Sequence, residues 1–118
     1  MGIRMSRPAA ALTLMILMCA NAHALTGVDL YQACKSASHS SMDLVCIAYV
    51  HGFLDGFQLG RFVGTGPQSK YCPPKDGVSV DQGRLIIEKY LREHPQDLHT
   101  QAGLMAASAM MDAFPCKH

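Results

Sequence analysis

Hydrophobic positions recur with helical spacing in four stretches of the chain, and each stretch begins with a start signal. The first is expected from Gly27 to Ala37. Thr26 stands as its cap, Asp29 as the capping-box partner, and Val28, Tyr31 and Cys34 as a stripe. The second is expected from Ser41 to Val63, capped by Ser40 with Asp43. Val45, Tyr49, Phe53 and Phe57 recur every fourth residue along it. The third follows Ser79, with Gln82 at the capping-box position, and carries Leu85, Ile86, Tyr90 and Leu91. It must stop at His94, because the residue before Pro95 is pushed out of the helical region. The fourth is expected from Leu98 to Phe114, with Asp97 as its cap and Leu104, Ala107, Met111 and Phe114 turned inward. No run alternates as a strand would.

Glycines and prolines sharpen this picture. Gly52, Gly56 and Gly60 share one face of the second helix, where each costs about 1 kcal/mol relative to Ala. Such a stripe predicts either a neighbouring helix backbone at very close range or a local kink. Between the second and third helices lies a long connection, Gly64 to Val78, rich in Gly and Pro and carrying Cys72. Typical connections are about 4–6 residues. A long loop tied to a rigid scaffold is where binding side chains tend to sit. Lys70, Tyr71 and Lys75 are its candidate partner contacts, with Tyr71 as an interface anchor; the alternative is an ordinary surface connection.

The N-terminus changes the class of protein. Arg4 and Arg7 precede an apolar run from Ala9 to Cys19, and Ala22-His23-Ala24 follows with small residues at the positions a signal peptidase reads. The run is shorter than the roughly 20 apolar residues of a bilayer span. Residues 1–24 are therefore expected to be a cleaved signal peptide, leaving 25–118 as one exported domain. Of the ten Lys and Arg, two leave with the signal, so the mature chain holds eight against nine acidic side chains, a net charge of −1. A charge that small does not steer a protein to nucleic acid or to an anionic membrane.

Cleavage also removes Cys19. Cys34, Cys46, Cys72 and Cys116 remain, an even set that predicts two disulfides in an oxidising compartment, with three possible connectivities. Antiparallel first and second helices favour Cys34–Cys46, leaving Cys72–Cys116. With all four paired there is no thiolate for catalysis, and their spacing suits neither a redox pair nor a zinc finger.

Other candidates are thin. His51 and Asp55 lie four apart on the second helix, as a surface pair or as two ligands of a metal that usually needs three. His94, His99 and His118 are scattered near helix ends, and His94 suits a helix C-terminus. Met105, Met110 and Met111 could make an adaptable binding face or fill the core. No phosphate-binding loop or hydrolase motif is present. The residues themselves name no reaction, cofactor or metal.

Two stretches carry a resemblance. One is Cys46-x-x-Tyr49-x-x-Gly52-x-x-Asp55-Gly56. The other begins at Cys72-x-Pro74, continues through Tyr90-Leu91 and His94-Pro95, and closes with an Ala-rich helix at Phe114-Pro115-Cys116. With Cys34 and the signal peptide, the chain resembles the Rap/Tai family of immunity proteins linked to type VI secretion, from about Leu30 to Cys116. The resemblance implies an all-helical periplasmic protein, often a homodimer, that plugs the cleft of a peptidoglycan amidase toxin with no catalysis and no cofactor. It implies a scaffold role for Cys46, Tyr49, Gly52, Asp55 and Gly56, with Asp55 capping or pairing inside the fold. The expectation is thus an all-α bundle of about four helices stapled by two disulfides, and an immunity protein without enzymatic activity. A small periplasmic chaperone or envelope-stress accessory protein is the alternative of another class. A metal or enzymatic role through His51 and Asp55 ranks last.

Overall fold

The computed structural model describes residues 23–64 and 70–117. Most of the expected signal peptide, residues 65–69 of the long connection, and His118 lie outside the described residues. Among the described residues there are four helices, α1 (Gly27–Cys34), α2 (Ser41–Gly64), α3 (Val80–Glu93) and α4 (Ala102–Ala113), with a 3-10 turn at Pro95–Asp97. The fold is all-α, as expected, and both disulfides pair as expected, Cys34–Cys46 and Cys72–Cys116.

The cap signals act as read. Thr26 Oγ1 accepts from the Asp29 N–H at 3.3 Å, and Asp29 Oδ2 accepts from the Thr26 N–H at 2.9 Å. The Thr26 N–H, and after it the Thr26 hydroxyl donating to the same oxygen at 2.8 Å, hold the Asp29 carboxyl below its ordinary value. Ser40 and Ser79 accept from the N–H groups of Asp43 and Gln82. α3 ends at Glu93, and the His94 Nδ1–H donates to the Tyr90 carbonyl at 2.8 Å while the two rings stack.

Two helix ends differ from expectation. α1 stops at Cys34 instead of Ala37, because the chain must turn back to bring Cys34 within 4.9 Å, Cα to Cα, of Cys46. His39 makes that turn at φ 64°, a left-handed conformation uncommon outside glycine. Its N–H donates to Asp43 Oδ2 at 2.8 Å. α4 begins at Ala102, not Leu98, and Asp97 is not its cap. The backbone from Leu98 to Gln101 is engaged elsewhere: Leu98 and Thr100 carbonyls accept from Val28 and Gly27, and Ala102 donates to Leu25. Gly27 permits this approach, since a Cβ there would lie 2.9 Å from the Leu98 carbonyl oxygen.

The core lies between the four helices and mixes large apolar side chains with closely packed alanines. Ala33, Ala102, Ala106 and Ala109 are buried, along with Leu30, Val50, Leu54, Ile87, Leu91, Met105 and Met110. Met105 and Met110 are therefore core filler, and Met111 is half-buried. Most of each expected stripe lies on the core: Cys34 and Leu91 are buried, and Tyr31, Tyr49, Phe53, Phe57, Ile86, Tyr90, Met111 and Phe114 pack against it partly buried, but one position on every helix does not. Val28, Val45, Leu85 and Leu104 are exposed, while Leu30, Cys46, Ile87 and Met105 point inward. Large apolar residues outnumber the places in a small core, so the closely packed Ala and Gly positions set the true face.

One polar group is buried with them. Asp43, 3% exposed, receives Arg84 of α3 at 2.6 Å. Arg84 also donates to the Cys34 carbonyl at 3.1 Å. Asp43 and Arg84 thus tie the α1–α2 turn and the buried disulfide to α3. A carboxylate this deep requires a charged, hydrogen-bonded partner.

Candidate functional site

The far end of α2, the return of the long connection and the C-terminus meet in one region. The disulfide from Cys72 closes onto Cys116, and the Cys72 N–H donates to the Phe114 carbonyl at 2.8 Å. Tyr71 bridges Pro115 in antiparallel fashion. Gly77 turns the connection toward α3 at φ 80°, its N–H on the Pro74 carbonyl, a conformation that suits glycine.

Of the three expected partner contacts, Lys70 and Lys75 are exposed here. Tyr71 is not an interface anchor: it is 2% exposed. Its ring lies 5.0 Å from Phe57 and 6.2 Å from Phe114, with Arg61 over its face at 5.6 Å. Burial raises its hydroxyl pKa, and Arg61 pulls weakly the other way. The aromatic ring next to Cys72 belongs with the core because the staple drags it under the loop.

The remaining motif residues separate into two groups. Cys46 is buried, and Tyr49 lies half-buried across α4, where a Cβ at Gly103 would come 3.6 Å from its hydroxyl. Burial raises the Tyr49 pKa. Gly52, Asp55 and Gly56 are on the surface. Asp55 does not pair inside the fold; it faces His51 at 3.7 Å, with side chains 76% and 65% exposed. Among the described residues no cluster of three or more His, Cys, Asp or Glu side chains could hold a metal.

Among the described residues the glycine stripe has no neighbouring helix. A Cβ at Gly52, Gly56 or Gly60 would meet nothing within 4 Å. Nor does the stripe break α2, which is continuous through it. Along the same helix stand exposed apolar residues, all but Val45 outside the four-residue pattern. Leu59, Phe62 and Val63 are 63%, 91% and 77% exposed, and Met42, Leu44 and Val45 are exposed at the other end of α2. The signal was available in Phe62, which falls off the Tyr49–Phe53–Phe57 row.

Two open grooves are found on the surface of the described residues. One, about 210 Å³, lies between α3 and α4, with Lys89, Glu93, His94 and Asp112 on its walls. The other, about 450 Å³, runs along the end of α4 and is lined by Lys70, Met111, Asp112, Pro115 and Cys116.

This helical framework, with both cysteine pairs closed, agrees with the family model of the Rap1a immunity proteins, which matches residues 26–116. The chain belongs to that family. Its match begins at the Thr26 cap and ends at the Cys116 staple, so the whole four-helix unit is the family domain. No curated protein and no solved structure matches the chain. No helix among the described residues is long and apolar enough to cross a membrane.

Proposed function

We propose that this Rap1a immunity protein acts in the periplasm, where it binds and blocks a peptidoglycan amidase toxin delivered by type VI secretion. The family match over residues 26–116 carries the reading. The signal-peptide pattern of residues 1–24 supports export, with 25–118 as the mature domain. Two closed disulfides fit an oxidising compartment. The protein acts by occupation of the toxin's cleft, without catalysis or cofactor, through the exposed Lys70 and Lys75 end and the adjoining helix ends. The test is inhibition: mature protein is mixed with the amidase encoded beside its gene, and peptidoglycan hydrolysis is followed. Stoichiometric inhibition is expected. No binding and no inhibition, together with a deletion strain as resistant as the parent, would end the proposal.

We further propose that the immunity protein works as a homodimer joined along α2. Exposed apolar residues stand at both ends of that helix, Met42, Leu44 and Val45 against Leu59, Phe62 and Val63. The open glycines Gly52 and Gly56 lie between them. An antiparallel second copy lays each apolar end on the other's opposite end, the self-complementary arrangement a two-fold axis requires. Glycines at the crossing let the backbones approach. Light scattering at micromolar concentration gives a dimer for wild type and a monomer for Phe62→Asp. A monomeric wild type removes the idea.

A further inference from the structure

The two disulfides occupy opposite environments. Cys34 and Cys46 are 1% and 0% exposed and lie inside the core. Cys72 is exposed, and Cys116 is half-buried on the wall of the groove of about 450 Å³ at the end of α4. Lys70 and Asp112 line the same groove. The groove is thus an approach to the Cys116 end of one disulfide, with one ammonium and one carboxylate on its wall.

We propose that Cys72–Cys116 is a thiol-exchange site for a dithiol oxidoreductase, and that its reduction loosens the partner-binding end while the helical bundle stays folded. That this end binds a partner rests on the function proposed above; the exchange chemistry does not. A thiolate of the reductant attacks Cys116 Sγ from the groove. A mixed disulfide forms, the Cys72–Cys116 bond breaks, and Cys72 leaves as a thiolate that takes a proton from water. The reductant's second thiol loses its proton and attacks its own bonded sulfur. Cys116 is released as a thiolate and is protonated in turn. The protein gains two electrons and two protons, and the dithiol becomes a disulfide.

The geometry limits the damage. At the loosened end the Tyr71–Pro115 bridge, the Cys72 N–H bond to Phe114, and the packing of Tyr71 on Phe57 and Phe114 beneath Arg61 remain. Once the covalent tie is gone, the exposed Lys70 and Lys75 on either side of Tyr71 are held by noncovalent contacts alone. The buried staple and the Asp43–Arg84 pair keep α1, α2 and α3 together.

The experiment uses the oxidised mature protein. It is exposed to graded dithiothreitol, and separately to a catalytic amount of reduced thioredoxin with a regenerating system, then alkylated and peptide-mapped. Cys72 and Cys116 are expected to label at least about tenfold faster than Cys34 and Cys46, with thioredoxin accelerating that pair alone. Equal labelling of all four cysteines, prior labelling of Cys34 and Cys46, or no acceleration by thioredoxin overturns the proposal. Hydrogen exchange of the selectively reduced protein should rise in residues 70–78 and stay protected in α1 and α3; global loss of protection overturns it as well. Failure of the oxidised protein to bind an amidase bears on the proposed function alone.

Discussion

The Cys34–Cys46 bridge joins two helices that already pack on one another, whereas Cys72–Cys116 joins a connection to a tail. By chain entropy alone the second contributes more, since it closes 44 residues of separation against 12. The estimates are roughly 4 and 3 kcal/mol. Packing reverses the order. The short staple sits among fully buried side chains and beside Asp43, so its removal also opens the core; the long staple is solvent-facing. The difference separates a part of the molecule that fixes the fold from a part that presents surface. It is broken or sharpened by perturbing one part at a time.

The largest effect is expected from replacing both cysteines of the buried staple. Cys34→Ala with Cys46→Ala removes about 3 kcal/mol of cross-link stabilisation, and the cavities left by two buried sulfurs add about 1–2 kcal/mol. Denaturant unfolding should show a loss of about 4–5 kcal/mol. A loss smaller than that of the Cys72→Ser, Cys116→Ser double variant would mean that entropy, not packing, ranks the staples.

Next is the ion pair. Asp43→Ala strands Arg84 in a largely buried site and leaves the His39 N–H without its acceptor. A cost of roughly 3 kcal/mol follows. Adding Arg84→Met should recover a substantial part of it, because no uncompensated charge then remains. Additive losses in the double variant would show that the two residues act independently.

Gly27→Ala comes third and has an inverted sign. In an open helix that change stabilises by about 1 kcal/mol. Here the new Cβ would press on Leu98 backbone, 2.9 Å from its oxygen and 3.1 Å from its Cα. Neither is a flexible side-chain end, so α1 must shift and lose its bonds to Leu98 and Thr100. Thermal unfolding should register a loss of about 2 kcal/mol. The same change at Gly83 meets only the Leu54 and Val50 side chains and should cost less.

The helices, three of their four caps and the Cys34–Cys46 pairing were legible in the sequence because each rests on short-range chemistry; Cys72–Cys116 followed by elimination. Thr26 with Asp29, Ser79 with Gln82, and Pro95 after His94 act over three or four residues. The inward faces were legible only in part. Val28, Val45, Leu85 and Leu104 match a helical stripe as well as their buried neighbours do, and only the close packing of Ala33, Ala106 and Ala109 decides between them. The Asp43–Arg84 pair and the approach of Gly27 to Leu98 join segments far apart in the chain, where no local pattern points. Tyr71 was misplaced for a related reason: the loop looked exposed, but its staple pulls the ring against Phe57. The family and its immunity role were legible from motif order, since the spacing of cysteines, Tyr and Pro records the whole framework at once.

Gly56→Ala gives the smallest change in stability and the sharpest contrast with Gly27→Ala. Nothing lies within 4 Å of the new methyl group, and α2 is regular through this position. The isolated chain should therefore gain about 1 kcal/mol from helix propensity. If a second copy crosses α2 at Gly52 and Gly56, the same methyl group stands between two backbones and weakens the pair. The expected outcome is a variant whose monomer resists denaturant better than wild type while its dimer dissociates at higher concentration. Unfolding measured well below the dimer dissociation constant and light scattering well above it separate the two effects. Greater stability with unchanged pairing would place the second copy elsewhere; lower stability at every concentration would mean that α2 is already packed at Gly56 within one chain.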